Sequence, residues 1–189
     1  MEYKKINSQV HTLMNIVGLA GMLAVLTVAI IIQITKSELP CPLCLLQRAG
    51  LIMTGLGFMF NLSIGIRKKH YAMMITGCLL TGGIAARQVL LHILPGDAGY
   101  GSTFLGLHFY TWSLIVSFAT LIYISLMLLL PEKSGKIYLS FDLSTLSKTI
   151  SILFALIILA NLVSTFLECG TGQCAENPET YLLLKKLHI

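Results

Sequence analysis

Two cysteines three residues apart begin a short apolar segment with the sequence PCPLCLLQRAG. Cys41 and Cys44 have the spacing at which two thiols close a small disulfide ring. A thiolate at a helix N-terminus is stabilised by the helix dipole and by free amide groups, and Pro42 suits the first turn because it lacks an amide hydrogen. The pattern predicts a redox-active pair in which Cys44 is the favoured thiolate. A static loop disulfide and half of a metal site are the alternative interpretations.

Three ionisable residues near the predicted helix ends are candidates for binding the electron acceptor of the cysteine pair. Arg48 follows Cys44 by four residues, so both side chains lie on one face of a helix. A positive charge one turn away stabilises a thiolate and can donate hydrogen bonds to the carbonyl oxygen of an electron-accepting ring. Arg87 and His92 lie near the end of a later apolar segment, where an ionisable residue indicates a function. Anchoring at the membrane interface is the alternative interpretation for these residues.

A second cysteine pair lies in the segment ECGTGQCAENP. Two glycines between Cys169 and Cys174 allow a tight turn, which makes a second disulfide geometrically easy. In a short exposed segment such a pair is well placed to exchange with the thiols of another protein, whereas its alternative role is a structural staple. The fifth cysteine, Cys78, falls within an apolar segment and is interpreted as a small buried residue.

Composition indicates the class of protein that positions these residues. The 189-residue chain is 56% hydrophobic and 11% charged, which is typical of an integral membrane protein. Its net charge of +5 is scattered in short clusters, a pattern that favours lipid headgroups over nucleic acid as neighbours. We expect a single all-α membrane domain over residues 1–189, a bundle of four core transmembrane helices plus a fifth. The predicted spans and outer tail are residues 12–35, 44–66, 71–94, 105–130, 149–167 and 168–189.

Basic residues set the predicted orientation. They precede the first span, join the second to the third, and join the fourth to the fifth, at Lys4, Lys5, Arg67, Lys68, Lys69, Lys133, Lys136 and Lys148. The positive-inside rule makes these segments cytoplasmic. The N-terminus is then cytoplasmic and the C-terminus periplasmic, so that both cysteine pairs face the compartment where disulfides persist.

The segments CPLCLLQR and LGLHFYTW resemble those of the disulfide bond formation protein B (DsbB) family, the quinone-linked thiol oxidases of bacterial inner membranes. The resemblance covers most of the first four spans. It implies that Cys41 and Cys44 are the quinone-proximal redox pair, that Cys44 is the thiolate that contacts the quinone ring, that Arg48 binds the quinone, and that His92 lines the pocket. Arg87 is a further cofactor-binding candidate from its position alone. The implied cofactor is ubiquinone or menaquinone, not covalently held at rest, and no metal is expected.

The second pair departs from the family pattern. Familiar members carry it in the loop between spans three and four, but residues 93–104 hold no cysteine here. We therefore assign the shuttle role to Cys169 and Cys174 on topology. The resemblance then implies that a DsbA-like thioredoxin-fold partner is oxidised at this pair, and that electrons continue to the first pair and to the membrane quinone pool. It also implies an inner-membrane location with both pairs facing the periplasm.

Three other classes fit parts of the pattern. A quinone reductase related to vitamin K epoxide reductase also has two thiol pairs, but its quinone-side pair comes late in the chain. A metal-handling membrane protein would use the four paired cysteines and His92, although no energising motif is present. A structural scaffold would hold two inert disulfides, which ready reduction and reoxidation of the cysteines would exclude.

Overall fold

The computed structural model describes residues 2–130, 141–178 and 180–186. The helices within these residues are α1 (Glu2–Lys36), α2 (Pro42–Ser63), α3 (Lys68–Leu91), α4 (Phe109–Leu129), α5 (Phe141–Cys169) and α6 (Leu182–Lys186). Two short strands, β1 (Thr103–Phe104) and β2 (Leu107–His108), form an antiparallel hairpin before α4. Lys133 and Lys136, which contribute to the predicted orientation, lie outside the described residues, as do residue 179 and residues 187–189 of the predicted outer tail.

Five of the described helices are long and apolar enough to span a membrane. Their spanning stretches are Gln9–Lys36, Pro42–Ser63, Lys68–Leu91, Phe109–Leu129 and Leu143–Cys169. A helix pairs every backbone group within its own segment, which is the requirement that a lipid environment imposes on such apolar runs. The predicted all-α class with five spanning helices is confirmed.

The chain reverses sharply between α1 and α2. Ser37 adopts a left-handed backbone conformation (φ 52°), which ends α1. Cys41 is the N-cap of α2, with an extended backbone (φ −67°, ψ 162°), and Pro42 occupies the first turn. Because a proline there lacks only an amide hydrogen that would be unpaired, the sequence favours a helix that begins directly after Cys41.

Two glycines bring α2 and α3 into backbone contact. A Cβ atom on Gly77 would lie 2.6 Å from the carbonyl oxygen of Gly50, and a Cβ atom on Gly50 would lie 2.9 Å from the carbonyl oxygen of Gly77. Either distance is too short for a side chain. Small residues at such crossings allow close helix packing in membranes. The contact packs α2 and α3 together near their middles, and at the end of α3 Gln88 reaches Cys41 at the start of α2.

One end of the bundle, which we call the cysteine end, contains Cys41 and Cys169. There the loop before the hairpin bonds to the loop after α1, since the Tyr100 hydroxyl donates to the Leu39 carbonyl oxygen at 2.7 Å. Helix α5 packs along α1 and α2, where Phe154 is fully buried against Gly55. Nearer the cysteine end, the Arg48 side chain of α2 donates to Asn161 of α5, so the first half of α2 lies beside the second half of α5.

Candidate redox site

Cys41 and Cys44 form a hydrogen-bonded pair of free thiols at the start of α2. The Cys44 backbone amide donates to Cys41 Sγ at 3.2 Å, so the N-cap sulfur accepts a bond that the helix would otherwise leave open. The hydrogen bond from the Cys44 side chain lowers the pKa of Cys41 to about 6, with help from the Cys44 and Leu43 amides and Gln88 and against the effect of burial. These hydrogen bonds favour a thiolate on Cys41 in the reduced pair, whereas the sequence analysis favours Cys44, so the assignment of the thiolate stays a prediction.

Gln88 of α3 contacts both sulfur atoms. Its Nε2 lies 3.4 Å from Cys41 Sγ and 3.8 Å from Cys44 Sγ. The Gln47 side-chain amide donates to Gln88 Oε1 at 2.7 Å, which turns the Gln88 NH2 group toward the sulfurs. The side chain is 2% exposed, so its hydrogen bonds are shielded from water. An uncharged glutamine gives little signal in a sequence, and the sequence analysis did not select Gln88.

Arg48 is held between α1 and α5. Its Nη1 donates to Gln33 Oε1 at 2.8 Å and to Asn161 Oδ1 at 3.4 Å, and its Nη2 donates to the Ala29 carbonyl oxygen at 3.2 Å. Gln33 in turn donates to Ser164 Oγ at 2.7 Å. Helix α5 therefore contributes side chains to the surroundings of an arginine that belongs to α2.

A cavity of about 330 Å³ lies beside the pair at the cysteine end. It is bounded by α1, α2, the start of α4 and the hairpin. Cys44, Gln47 and Arg48 are polar groups in its wall, and its aromatic lining consists of Tyr100, Phe104, Phe109, Tyr110 and Trp112. An apolar, aromatic-walled cavity with a few convergent polar groups is typical of a small-molecule site. A flat uncharged ring with carbonyl oxygens has matching chemistry.

The second pair is a disulfide at the end of α5. Cys169 and Cys174 are bonded, with their Cα atoms 4.5 Å apart, and Gly170 has a left-handed backbone (φ 62°) that ends the helix. Cys169 is 7% exposed, whereas Cys174 is only half-buried. A thiol arriving from the aqueous side therefore meets Cys174 first.

Glu168 is a buried carboxyl beside this disulfide. It is 2% exposed, and neither side-chain oxygen has a hydrogen-bond partner among the described residues. It interacts electrostatically with Arg48 and with Cys41. The sequence analysis did not select it, although an acidic residue in an apolar span, directly before a cysteine, is a recognisable signal.

His92 and Arg87 lie apart from the two sulfurs. His92 caps α3, its Nδ1 lies 3.1 Å from Asp97 Oδ1, and its ring centroid lies 5.7 Å from that of Tyr110 in the cavity wall. The Gly99 amide and His92 lower the pKa of Asp97. Arg87 is exposed on α3. The structure thus brings Cys41, Cys44 and Arg48 together, and a quinone contact for His92 or Arg87 stays a prediction.

No three His, Cys, Asp or Glu side chains in the described part of the chain form a group that could hold a metal ion.

The family model described as disulfide bond formation protein DsbB matches residues 11–127. This range contains Cys41, Cys44 and Arg48, whereas α5 and the second cysteine pair lie beyond it.

Several curated proteins named disulfide bond formation protein B are similar in sequence. The protein of Psychrobacter sp. (strain PRwf-1) is 36% identical over 88 residues, covering 43% of this chain and 51% of the relative. That of Acinetobacter baylyi is 36% identical over 93 residues, with 47% and 52% covered. That of Chromobacterium violaceum is 33% identical over 95 residues, with 46% and 57% covered.

The chain thus spans about half the length of the curated relatives it matches. No solved structure matches it. The family model nevertheless covers more than half of the chain, including four of the five apolar helices for most or all of their length. This multi-pass membrane protein therefore belongs to the DsbB family of disulfide bond formation proteins.

Proposed function

We propose that the protein is a quinone-dependent protein thiol oxidase that reoxidises a DsbA-like thioredoxin-fold partner. An electron pair passes from the partner to Cys169 and Cys174, then to Cys41 and Cys44, and then to ubiquinone or menaquinone. The observation that carries this proposal is the position of Cys44 and Arg48 in the wall of one aromatic cavity, beside a second thiol outside it. Family membership supports the same chemistry.

The partner reacts first with the Cys169–Cys174 disulfide, at its half-buried sulfur. A partner thiolate attacks Cys174 Sγ, the Cys169–Cys174 bond breaks, and Cys169 leaves as a thiolate. The second partner thiol then attacks the mixed disulfide, which releases an oxidised partner and reduced Cys174. The greater exposure of Cys174 supports this order, because nucleophilic exchange requires access to the attacked sulfur.

The two sulfurs of the first pair have different surroundings, which supports a division of labour. Cys169 thiolate attacks Cys41 Sγ, and the Cys41–Cys44 bond breaks with Cys44 as the leaving thiolate, which then takes up a proton. Cys174 thiolate attacks Cys169 Sγ of the mixed disulfide, which reforms the Cys169–Cys174 bond and releases Cys41 as a thiolate. Among the described cavity residues Cys44 is included and Cys41 is not. Cys41 therefore exchanges with protein thiols, and Cys44 faces the electron acceptor.

The cavity residues fit a quinone ring. A bound quinone would act as the acceptor of two electrons and two protons. The aromatic walls would hold the ring by stacking. The Arg48 guanidinium has five N–H donors and makes three hydrogen bonds to residues that the structure describes, which leaves donors for a ligand. Those donors can bind a carbonyl oxygen, so the protein positions the ring and excludes water.

We place the protein in the bacterial inner membrane with both cysteine pairs facing the periplasm. Arg67, Lys68 and Lys69 lie between α2 and the start of α3, at the end of the bundle opposite the cysteine end. The positive-inside rule assigns that end to the cytoplasm. Cys41 and Cys174 would then lie in an oxidising compartment.

Quinone reduction by the full chain in detergent tests the proposal. Reduced DsbA-like protein and ubiquinone or menaquinone are added, and the absorbance of the quinone is followed. We expect turnover in the wild type and its loss in Cys44→Ser. Cys78→Ser removes a buried thiol outside both pairs and is the matched control, with turnover retained. Equal turnover in wild type and Cys44→Ser would contradict the route.

A further inference from the structure

Glu168 is a buried carboxyl that accepts no hydrogen bond from the residues that the structure describes. Both of its oxygens lack a partner in the described part of the chain, and the residue is 2% exposed. A buried ionised carboxylate without hydrogen bonds is strongly disfavoured, so such a group needs a compensating charge or a bound proton. Glu168 stands in the last turn of α5, directly before Cys169. Glu168 is therefore adjacent in sequence to the second cysteine pair, and it also interacts electrostatically with Cys41 of the first pair.

Three titratable groups interact electrostatically with Glu168. They are Arg48 of α2, Cys41 at the N-cap of α2, and Tyr100 in the loop before the hairpin. Burial raises the pKa of Tyr100, so the phenol stays neutral. The positive guanidinium stabilises the Glu168 carboxylate, whereas a negative sulfur at Cys41 stabilises the neutral acid.

The charge at Cys41 depends on its redox state. In a disulfide the sulfur is neutral, and in the reduced pair it accepts hydrogen bonds from Cys44 and Gln88 as a thiolate. Reduction of the first pair therefore places a negative charge near Glu168. Two negative groups and one arginine would leave an uncompensated buried charge, which is costly in a medium of low dielectric constant.

We propose that Glu168 stores one of the two protons that the Cys41–Cys44 pair takes up when it is reduced. The inference rests on the proposed function only in that Cys41 and Cys44 are a redox pair. A donor dithiol gives two electrons and two protons and becomes a disulfide. The Cys41–Cys44 bond breaks, Cys44 receives one proton as a thiol, Cys41 becomes a thiolate, and the Glu168 carboxylate receives the second proton.

This distribution keeps the charge of the site constant. The oxidised site contains the Arg48 guanidinium and the Glu168 carboxylate, and the reduced site contains the same guanidinium and the Cys41 thiolate. Each state has one positive and one negative charge. Reoxidation reforms the Cys41–Cys44 bond, passes two electrons to the acceptor and releases both protons, so the cycle balances. Glu168 thereby couples a proton to each reduction of the pair.

The proton count can be measured without quinone or protein partner. The full chain in detergent is equilibrated anaerobically with reduced and oxidised dithiothreitol, and the redox state of the peptide containing Cys41 and Cys44 is quantified by alkylation and mass spectrometry. The pH is varied from about 6 upward, where Cys41 is a thiolate. Reduced dithiothreitol binds two protons, and the reduced protein site also binds two, one on Cys44 and one on Glu168. We therefore expect the wild-type equilibrium constant to be independent of pH.

Removal of the carboxyl changes that count. In Glu168→Gln the reduced pair binds one proton, so the equilibrium shifts about tenfold per pH unit toward reduced Cys41–Cys44 as the pH rises. Glu168→Asp keeps a carboxyl and should behave as the wild type. Glu176→Gln, which removes an exposed carboxyl from the same tail, is the matched control and should also be independent of pH.

Two results would overturn the proposal. One is equal pH dependence in wild type and Glu168→Gln. The other is a tenfold change per pH unit in the wild type itself, which remains decisive if the glutamine variant does not fold. Wild-type independence of pH, with Cys41 alkylated as a thiolate, supports the stored proton in that case. Loss of quinone turnover alone would contradict the proposed function and leave this proton count standing.

Discussion

The Gln88 side-chain amide lies 3.4 Å from Cys41 Sγ, across the contact between α3 and α2. Its donor faces the sulfur because Gln88 Oε1 is occupied by the amide of Gln47. The thiolate of the reduced pair is therefore stabilised from a second helix as well as from its own helix N-terminus. A buried hydrogen bond to a charged atom is stronger than one between neutral groups.

Replacement of Gln88 by leucine should make Cys41 less reactive. A hydrogen bond to a charged group contributes about 1.5–3 kcal/mol, so its loss should raise the pKa of Cys41 and lower the thiolate fraction at pH 7 by about two- to fifteenfold. The rate of Cys41 alkylation by iodoacetamide measures this fraction. Gln173→Leu, at an exposed glutamine of the tail, is the control. An unchanged alkylation rate in Gln88→Leu would show that the Gln88 amide does not stabilise the Cys41 thiolate.

The pH dependence of Cys41 should follow its hydrogen bond with Cys44. In the reduced protein, alkylation of Cys41 should have a midpoint at pH about 6 and fall about tenfold per pH unit below it. Cys44→Ala removes the main donor and should raise the midpoint, whereas Cys44→Ser keeps a hydroxyl donor and should raise it less. A wild-type midpoint near the ordinary thiol value of 9.0 would contradict the geometry.

Arg48→Ala should weaken quinone use more than it affects folding. The variant removes the donors available to a carbonyl oxygen, and we expect the apparent KM for quinone to rise about tenfold or more, as for a lost hydrogen bond to a charged group. Arg48→Lys keeps the charge without the planar donor fork and should recover only part of the effect. Arg67→Ala, at the opposite end of the bundle, is the control. An unaltered quinone dependence would exclude Arg48 from the pocket.

Cys169 and Cys174 should differ in how readily each forms a mixed disulfide with the DsbA-like partner. With oxidised DsbA-like protein, Cys169→Ser leaves the more exposed Cys174 thiol and should accumulate a mixed disulfide. Cys174→Ser leaves the buried Cys169 thiol and should accumulate several-fold less, because access limits exchange. Non-reducing gel electrophoresis measures both adducts. More adduct through Cys169 than through Cys174 would reverse the assigned order.

Two glycines of α3 should differ in their tolerance of a side chain. Gly77→Ala places a Cβ atom against the Gly50 carbonyl oxygen, and overpacking of this kind costs about 1–3 kcal/mol. Gly83→Ala meets no atom within 4 Å and removes a glycine from a helix interior, so it should be neutral or slightly stabilising. The free energy of unfolding in detergent measures both. Equal stability of the two variants would argue against the close contact.

The sequence predicts the parts of the molecule that depend on local pattern. Apolar runs of about 20 residues are sufficient to identify spanning helices, because lipid leaves few other options for the backbone. Pro42 marks the start of α2, which is also a local effect. The sequence analysis did not predict that Cys41 is the N-cap of α2, and this detail favours Cys41 as the acceptor of helix N-terminal hydrogen bonds.

The remaining features depend on contacts between distant segments. Arg48 bonds to Gln33 and Asn161, which are 15 and 113 residues away in the chain. A pattern of apolar residues specifies which segments span the membrane, but it does not specify which helices pack side by side. Gln88 and Glu168 became candidates only when helix packing brought them to the sulfurs.

The hydrogen bond between Arg48 and Asn161 has a consequence for the C-terminal quarter of the chain. Without α5, the side of the guanidinium that faces Asn161 would be open to acyl chains, which solvate a cation very poorly. Helix α5 thus shields the Arg48 guanidinium, which belongs to the part of the chain that matches the DsbB family, from the lipid. A chain shortened to end after α4 would keep the residues that match the DsbB family, but its Arg48 side chain would be exposed to the lipid acyl chains.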